Sequence, residues 1–97
     1  MTLIAQKIYA GNVGTIIDID MGEDVSQATE LSWNIKRPDG GMTTWTPQVY
    51  DTTFLRYVLQ TGDVSLAGIY RIQPKLTLGS WAGLGSVVEL RVYSLFE

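Results

Sequence analysis

The chain contains no histidine and no cysteine among its 97 residues. The first absence removes the imidazole base, the histidine-assisted nucleophile and any histidine-ligated metal. The second removes thiolate chemistry, disulfide frameworks and cysteine zinc clusters. Charge is also sparse, at 18% of residues, with seven Lys+Arg against ten Asp+Glu and a net charge of −3. A protein that grips a phosphate backbone needs a basic face to displace counterions, so nucleic acid is not an expected partner. No apolar run approaches the roughly 20 residues of a membrane span, and no membrane contact is expected. The stretch Met1-Thr2-Leu3-Ile4-Ala5-Gln6-Lys7 has neither the basic lead nor the apolar core of a secretory signal. The lack of disulfides fits folding in a reducing cytoplasm.

What remains is apolar enough to fold. Hydrophobic residues make up 45% of the chain, and the length suits one domain over residues 1–97. Ten glycines punctuate short apolar runs, and the period of those runs is two rather than 3.6. Leu31, Trp33 and Ile35 alternate with Ser32, Asn34 and Lys36, giving a strand with one apolar face. It stops at Arg37-Pro38-Asp39-Gly40-Gly41. There Pro38 presets the first central turn position, Asp39 suits the second and Gly40 takes positive φ, so 42–50 is expected to return antiparallel. Pro47 removes a ladder donor and places that return strand at an edge or bulge.

Ile17 and Ile19 against Asp18 and Asp20 mark a strand over 14–21, preceded by one near 3–9; another follows over 53–59. From Ile69, the residues Tyr70, Ile72, Leu76 and Leu78 share one face, while Arg71, Gln73, Lys75 and Thr77 share the other. Pro74 interrupts this run, which predicts a bulge or a loss of pairing. Residues 79–83 are expected to form a loop, and a last strand covers about 86–93. Seven short strands with turn signals between them predict an all-β fold, an immunoglobulin-like antiparallel β-sandwich.

One local pattern refines that expectation. Gly62-Asp63 followed by Ala67-Gly68-Ile69-Tyr70 resembles the tyrosine corner of such sandwiches, where a buried phenol bonds back to the preceding corner. Trp33 falls where these domains bury a large aromatic. Ile19 and Ile72 fall near the positions of the inter-sheet cysteines, and would fill that gap by packing. Together with Asp24-Val25-Ser26-Gln27-Ala28 and Lys36-Arg37-Pro38-Asp39-Gly40, the corner resembles the N-terminal immunoglobulin-like domain of phage upper baseplate proteins and related small virion proteins. The resemblance covers nearly the whole chain and consists of turn chemistry. It implies a non-enzymatic structural or assembly role in a bacteriophage tail, baseplate, neck or capsid surface. By the same resemblance the partners are other virion proteins and further copies of the chain, and the location is the virion, assembled in the host cytoplasm.

No reactive centre stands out. Asp18, Asp20, Glu23, Asp24 and Glu30 place five carboxylates in thirteen residues, and calcium takes such oxygens. Their spacing matches no EF-hand loop, however, and a solvated strand face accounts for Asp18 and Asp20. No carboxylate pair has the spacing of a glycosidase, and Asp63 is expected to cap its own turn or to meet an arginine. Phosphate loops, nucleotide fingerprints and nucleophile elbows are missing. Neither an enzyme nor a cofactor is expected.

Six large apolar residues exceed what the expected core needs: Trp45, Trp81, Leu84, Tyr93, Leu95 and Phe96. They are the candidate partner contacts, in a closed ring or other homo-oligomer. Alternatively Trp81 and Leu84 fold down to plug one end of the sandwich. The competing functional reading is a carbohydrate-binding or adhesin-type sandwich in which Trp45 or Trp81 stacks on sugar rings.

Overall fold

The computed structural model describes residues 2–97, which form ten strands in two sheets. In chain order these are β1 (Thr2–Ala5), β2 (Ile8–Tyr9), β3 (Ile16–Asp20), β4 (Glu30–Lys36), β5 (Met42–Trp45), β6 (Gln48–Tyr50), β7 (Phe54–Val58), β8 (Gly68–Leu78), β9 (Trp81–Leu84) and β10 (Val88–Tyr93). One sheet runs β1-β3-β7-β6; the other runs β2-β10-β8-β4-β5, with β9 also paired to β8. All pairings are antiparallel except β2 with β10, which is parallel. The fold is therefore all-β with mixed topology, which corrects the purely antiparallel expectation.

Two expected strands are each divided between the sheets. The segment near 3–9 gives β1 to one sheet and β2 to the other, with Gln6-Lys7 between them. The segment 42–50 gives β5 and β6, with Thr46-Pro47 at the crossing. Pro47 is where the chain leaves one sheet, so its missing N–H interrupts no ladder.

The 37–41 hairpin forms as expected. Arg37 N donates to Gly41 O at 2.8 Å, Gly40 N donates to Arg37 O at 2.9 Å, and Gly40 has φ +87°. Gly41 N closes onto Asp39 Oδ1 at 2.8 Å. The resulting register sets Trp45 opposite Trp33.

Pro74 does not interrupt β8, which runs on through it and buries the proline on its inner face. Its carbonyl accepts a hydrogen bond from Gly85 N at 2.8 Å, so its nitrogen faces the same side. Between Lys75↔Leu84 and Ile72↔Val88, β8 contributes Gln73 and Pro74, while the returning chain contributes Gly85, Ser86 and Val87. The bulge thus lies in the partner, opposite the residue that has no donor. Residues 79–83, expected as a loop, instead give a two-residue turn at Gly79-Ser80 and the start of β9. Gly79 at φ +58° suits the first central position of a type II′ hairpin turn.

A single apolar cluster lies between the sheets. Ile17, Ile19 and Leu55 enter it from one side, and Trp33, Ile35, Tyr70 and Ile72 from the other, all fully buried. Tyr70 spends its hydroxyl on the preceding corner, donating to Leu66 O at 2.9 Å and accepting from Leu66 N at 3.2 Å.

The tyrosines give the fold an alkaline limit. Burial, reinforced by the Asp63 carboxylate, raises the Tyr57 phenol far above its ordinary pKa. Burial raises Tyr70 as well, against the opposing Leu66 bond. Phenols of the unfolded chain ionise near pH 10, whereas these two keep their protons to higher pH. Their contribution is whole below about pH 10 and is lost as the pH climbs through the folded values. The denaturation midpoint should stay level between about pH 7 and 9 and fall above about 10. That fall should be shallower in a Tyr57→Phe/Tyr70→Phe variant; an equally steep fall would assign it to other groups.

Candidate interaction surface

Of the five carboxylates between 18 and 30, three are each engaged separately. Asp18, facing outward on β3, takes a two-pronged ion pair from Arg56 on β7, with Nε–Oδ1 at 2.8 Å and Nη2–Oδ2 at 3.0 Å. The same guanidinium lies 3.5 Å from the centre of the Tyr50 ring. Asp20 Oδ1 accepts from Gly22 N at 2.9 Å. Asp24 Oδ1 accepts from Ser26 N and Oγ at 2.8 and 2.6 Å, and these bonds hold its carboxyl below the usual range. Among the described residues no three acidic side chains converge into a cation site. Asp63 caps its turn by accepting from Gln60 N at 2.8 Å, and it meets a tyrosine rather than an arginine, accepting from Tyr57 Oη at 2.5 Å.

The six apolar candidates separate into three groups. Trp45 is only 3% exposed and stacks on Tyr57 with ring centres 4.9 Å apart. It belongs to the core, which corrects its assignment to a partner surface and removes it as a sugar platform. The reason is the hairpin register: a residue opposite Trp33 shares its inward face. Tyr93 is half-buried at the end of β10. It lies 6.1 Å from the Tyr9 ring, and the Lys7 ammonium sits 4.4 Å from its centre. The remaining four are exposed. Trp81 (49%) and Leu84 (53%) lie on β9, whereas Leu95 (78%) and Phe96 (95%) follow β10. Because β9 pairs with the far end of β8 and Val92 pairs with Gly68, these two pairs occupy opposite ends of the sheet. Trp81 and Leu84 do not plug the sandwich; the Trp81 ring lies instead along Gly83.

Leu95 and Phe96 sit on a fastened turn. Glu97 N donates to Ser94 O at 3.1 Å. The Glu97 carboxylate accepts from Ser94 N at 2.7 Å and from the Ser94 hydroxyl, and Arg91 Nη2 lies 3.7 Å from it. Lys7 Nζ donates to Glu97 O at 2.9 Å. Phe96 itself has φ +71°. That conformation costs a side-chain-bearing residue about 1–2 kcal/mol, and here it holds an aromatic ring in water.

Sequence reasoning missed the Tyr57–Asp63 bond and the inward turn of Trp45. The second was within reach, because a three-residue turn over 38–40, closed by positive-φ Gly40, sets Arg37 opposite Gly41, Lys36 opposite Met42 and hence Trp33 opposite Trp45. The six-residue separation of Tyr57 from Asp63 across a loop carries no comparable signal. No family model, no curated protein and no solved structure matches the chain.

Proposed function

We propose that the chain is an immunoglobulin-like sandwich with a non-enzymatic assembly role, a structural component of a phage virion that works through contacts with neighbouring subunits. The strand order supports the fold assignment. The sheet β1-β3-β7-β6 follows the A-B-E-D order, and β10-β8-β4-β5 follows G-F-C-C′. In this reading β2 is the piece of the first strand that crosses to the second sheet. The Tyr70 bond to Leu66 stands where the tyrosine corner belongs. The phage assignment rests on the turn motifs, of which the 37–41 hairpin, the Asp24–Ser26 turn and the Gly68–Tyr70 corner all form.

The observation that carries an assembly role is the Ser94–Glu97 turn. A leucine and a phenylalanine are fastened outward at the cost of an unfavourable backbone conformation, and water alone gives no compensation for that. Light scattering over a concentration series tests the reading. The average mass should rise with concentration, and Leu95→Ser/Phe96→Ser should move that rise at least tenfold higher. A chain that stays monomeric throughout and fails to bind phage particles overturns the proposal. Quenching of tryptophan fluorescence by glycans in that monomer would favour a sugar-binding module, with Trp81 as its platform.

A further inference from the structure

We infer that β9 is a pairing edge for a second copy of this chain, joined antiparallel with Ala82 of one copy opposite Leu84 of the other. The inference rests on the assembly reading above and names one of its contacts. Among the described residues strand β9 pairs only with β8, so its other side is a sheet edge. Gly85 N donates to Pro74 O across β8, which fixes the direction of alternate residues. Trp81, Gly83 and Gly85 turn their backbone groups toward β8, and Ala82 and Leu84 turn theirs away. Two N–H and two C=O groups are thereby presented to an extended chain, and strand addition satisfies such a row directly.

Exposed edges in stable proteins are usually blunted by lysine, proline or a covering loop. Here the run Leu76–Val88 contains no charged side chain and no proline, while Trp81, Leu84 and Val87 are exposed along it. The same features select a second copy as the occupant. With Ala82 facing Leu84 of the partner in both directions, the two Gly83 residues meet at the centre and each Trp81 faces the other copy's Gly85. Every bulky side chain then opposes a small one, and no like charges are brought together. Gly83 already yields its space to the Trp81 ring, since a Cβ there would lie 2.9 Å from that ring.

The absence of native cysteine gives a direct test. Directly opposed residues of a hydrogen-bonded antiparallel pair have Cα atoms about 5.5 Å apart, within the range a disulfide spans. Ala82→Cys and Leu84→Cys, mixed under mild oxidation, should give at least tenfold more covalent dimer than either variant alone. Leu84→Lys should raise the concentration needed for dimerisation at least tenfold while leaving the thermal melt of the monomer in place. Oligomers that persist without the mixed cross-link would overturn the β9 pairing and leave the assembly reading standing. A monomer at every concentration would overturn the pairing outright.

Discussion

Trp33→Ala should lower the unfolding free energy by about 3–5 kcal/mol, the range for deleting a large aromatic from a packed interior. Trp33 is completely buried at the centre of β4, opposite Trp45 and 6.0 Å from the Tyr57 ring. Its indole Nε1 has no partner among the described residues, so the substitution breaks no hydrogen bond. The loss is one of apolar burial and of the cavity left behind. Small domains hold only about 5–15 kcal/mol in all, so the variant should unfold at a much lower urea concentration with its slope preserved. A midpoint within about 0.5 kcal/mol of the parent would contradict the burial of this residue.

Gly68→Ala should be nearly as damaging, at about 2–4 kcal/mol, although it adds only a methyl group. Gly68 has φ +133°, which a side-chain-bearing residue rarely adopts, and a Cβ there would lie 2.8 and 2.9 Å from Cβ and Cγ of Pro38. Two motifs far apart in sequence therefore meet at this point. A side chain at 68 would meet the proline of the 37–41 hairpin, so Pro38 and the glycine two residues before Tyr70 constrain each other. A second substitution separates the two costs. Pro38→Gly, which removes both contacting carbons, should cost less in the Gly68→Ala background than alone, recovering the steric part and leaving the conformational part. Additive losses in that double variant would show that the two sites do not press on each other.

The hairpin and the corner were legible because each is decided within a few residues. Pro38, Asp39 and Gly40 have few conformations to choose from, and Tyr70 must bond near where its chain enters the sheet. The inner faces of β4 and β8 were legible because alternation with period two survives burial on one side. What alternation does not encode is the sheet to which a strand belongs. Leu3 and Ile8 read as one strand although Gln6-Lys7 carries the chain from one sheet to the other. Strand β9 was hidden for the opposite reason: Trp-Ala-Gly-Leu shows no alternation of apolar with polar residues, buries neither face and is held by its ladder with β8. The exposed turn at Leu95-Phe96 was visible as surplus hydrophobicity. Its fastening by Ser94, Arg91 and Lys7 was not, because those contacts span as many as 90 positions.

The parallel pairing of β2 with β10 has a mechanical consequence. Ile8 faces Val92, Tyr9 faces Tyr93, and Ala10 N donates to Tyr93 O at 2.9 Å. Tension applied through the segments before β2 and after β10 pulls these strands lengthwise past each other, loading their bonds in shear and all at once. In an antiparallel pair pulled from the same end, the bonds would peel open one after another. A chain stretched through those two segments would thus resist by shear where β2 and β10 lie side by side.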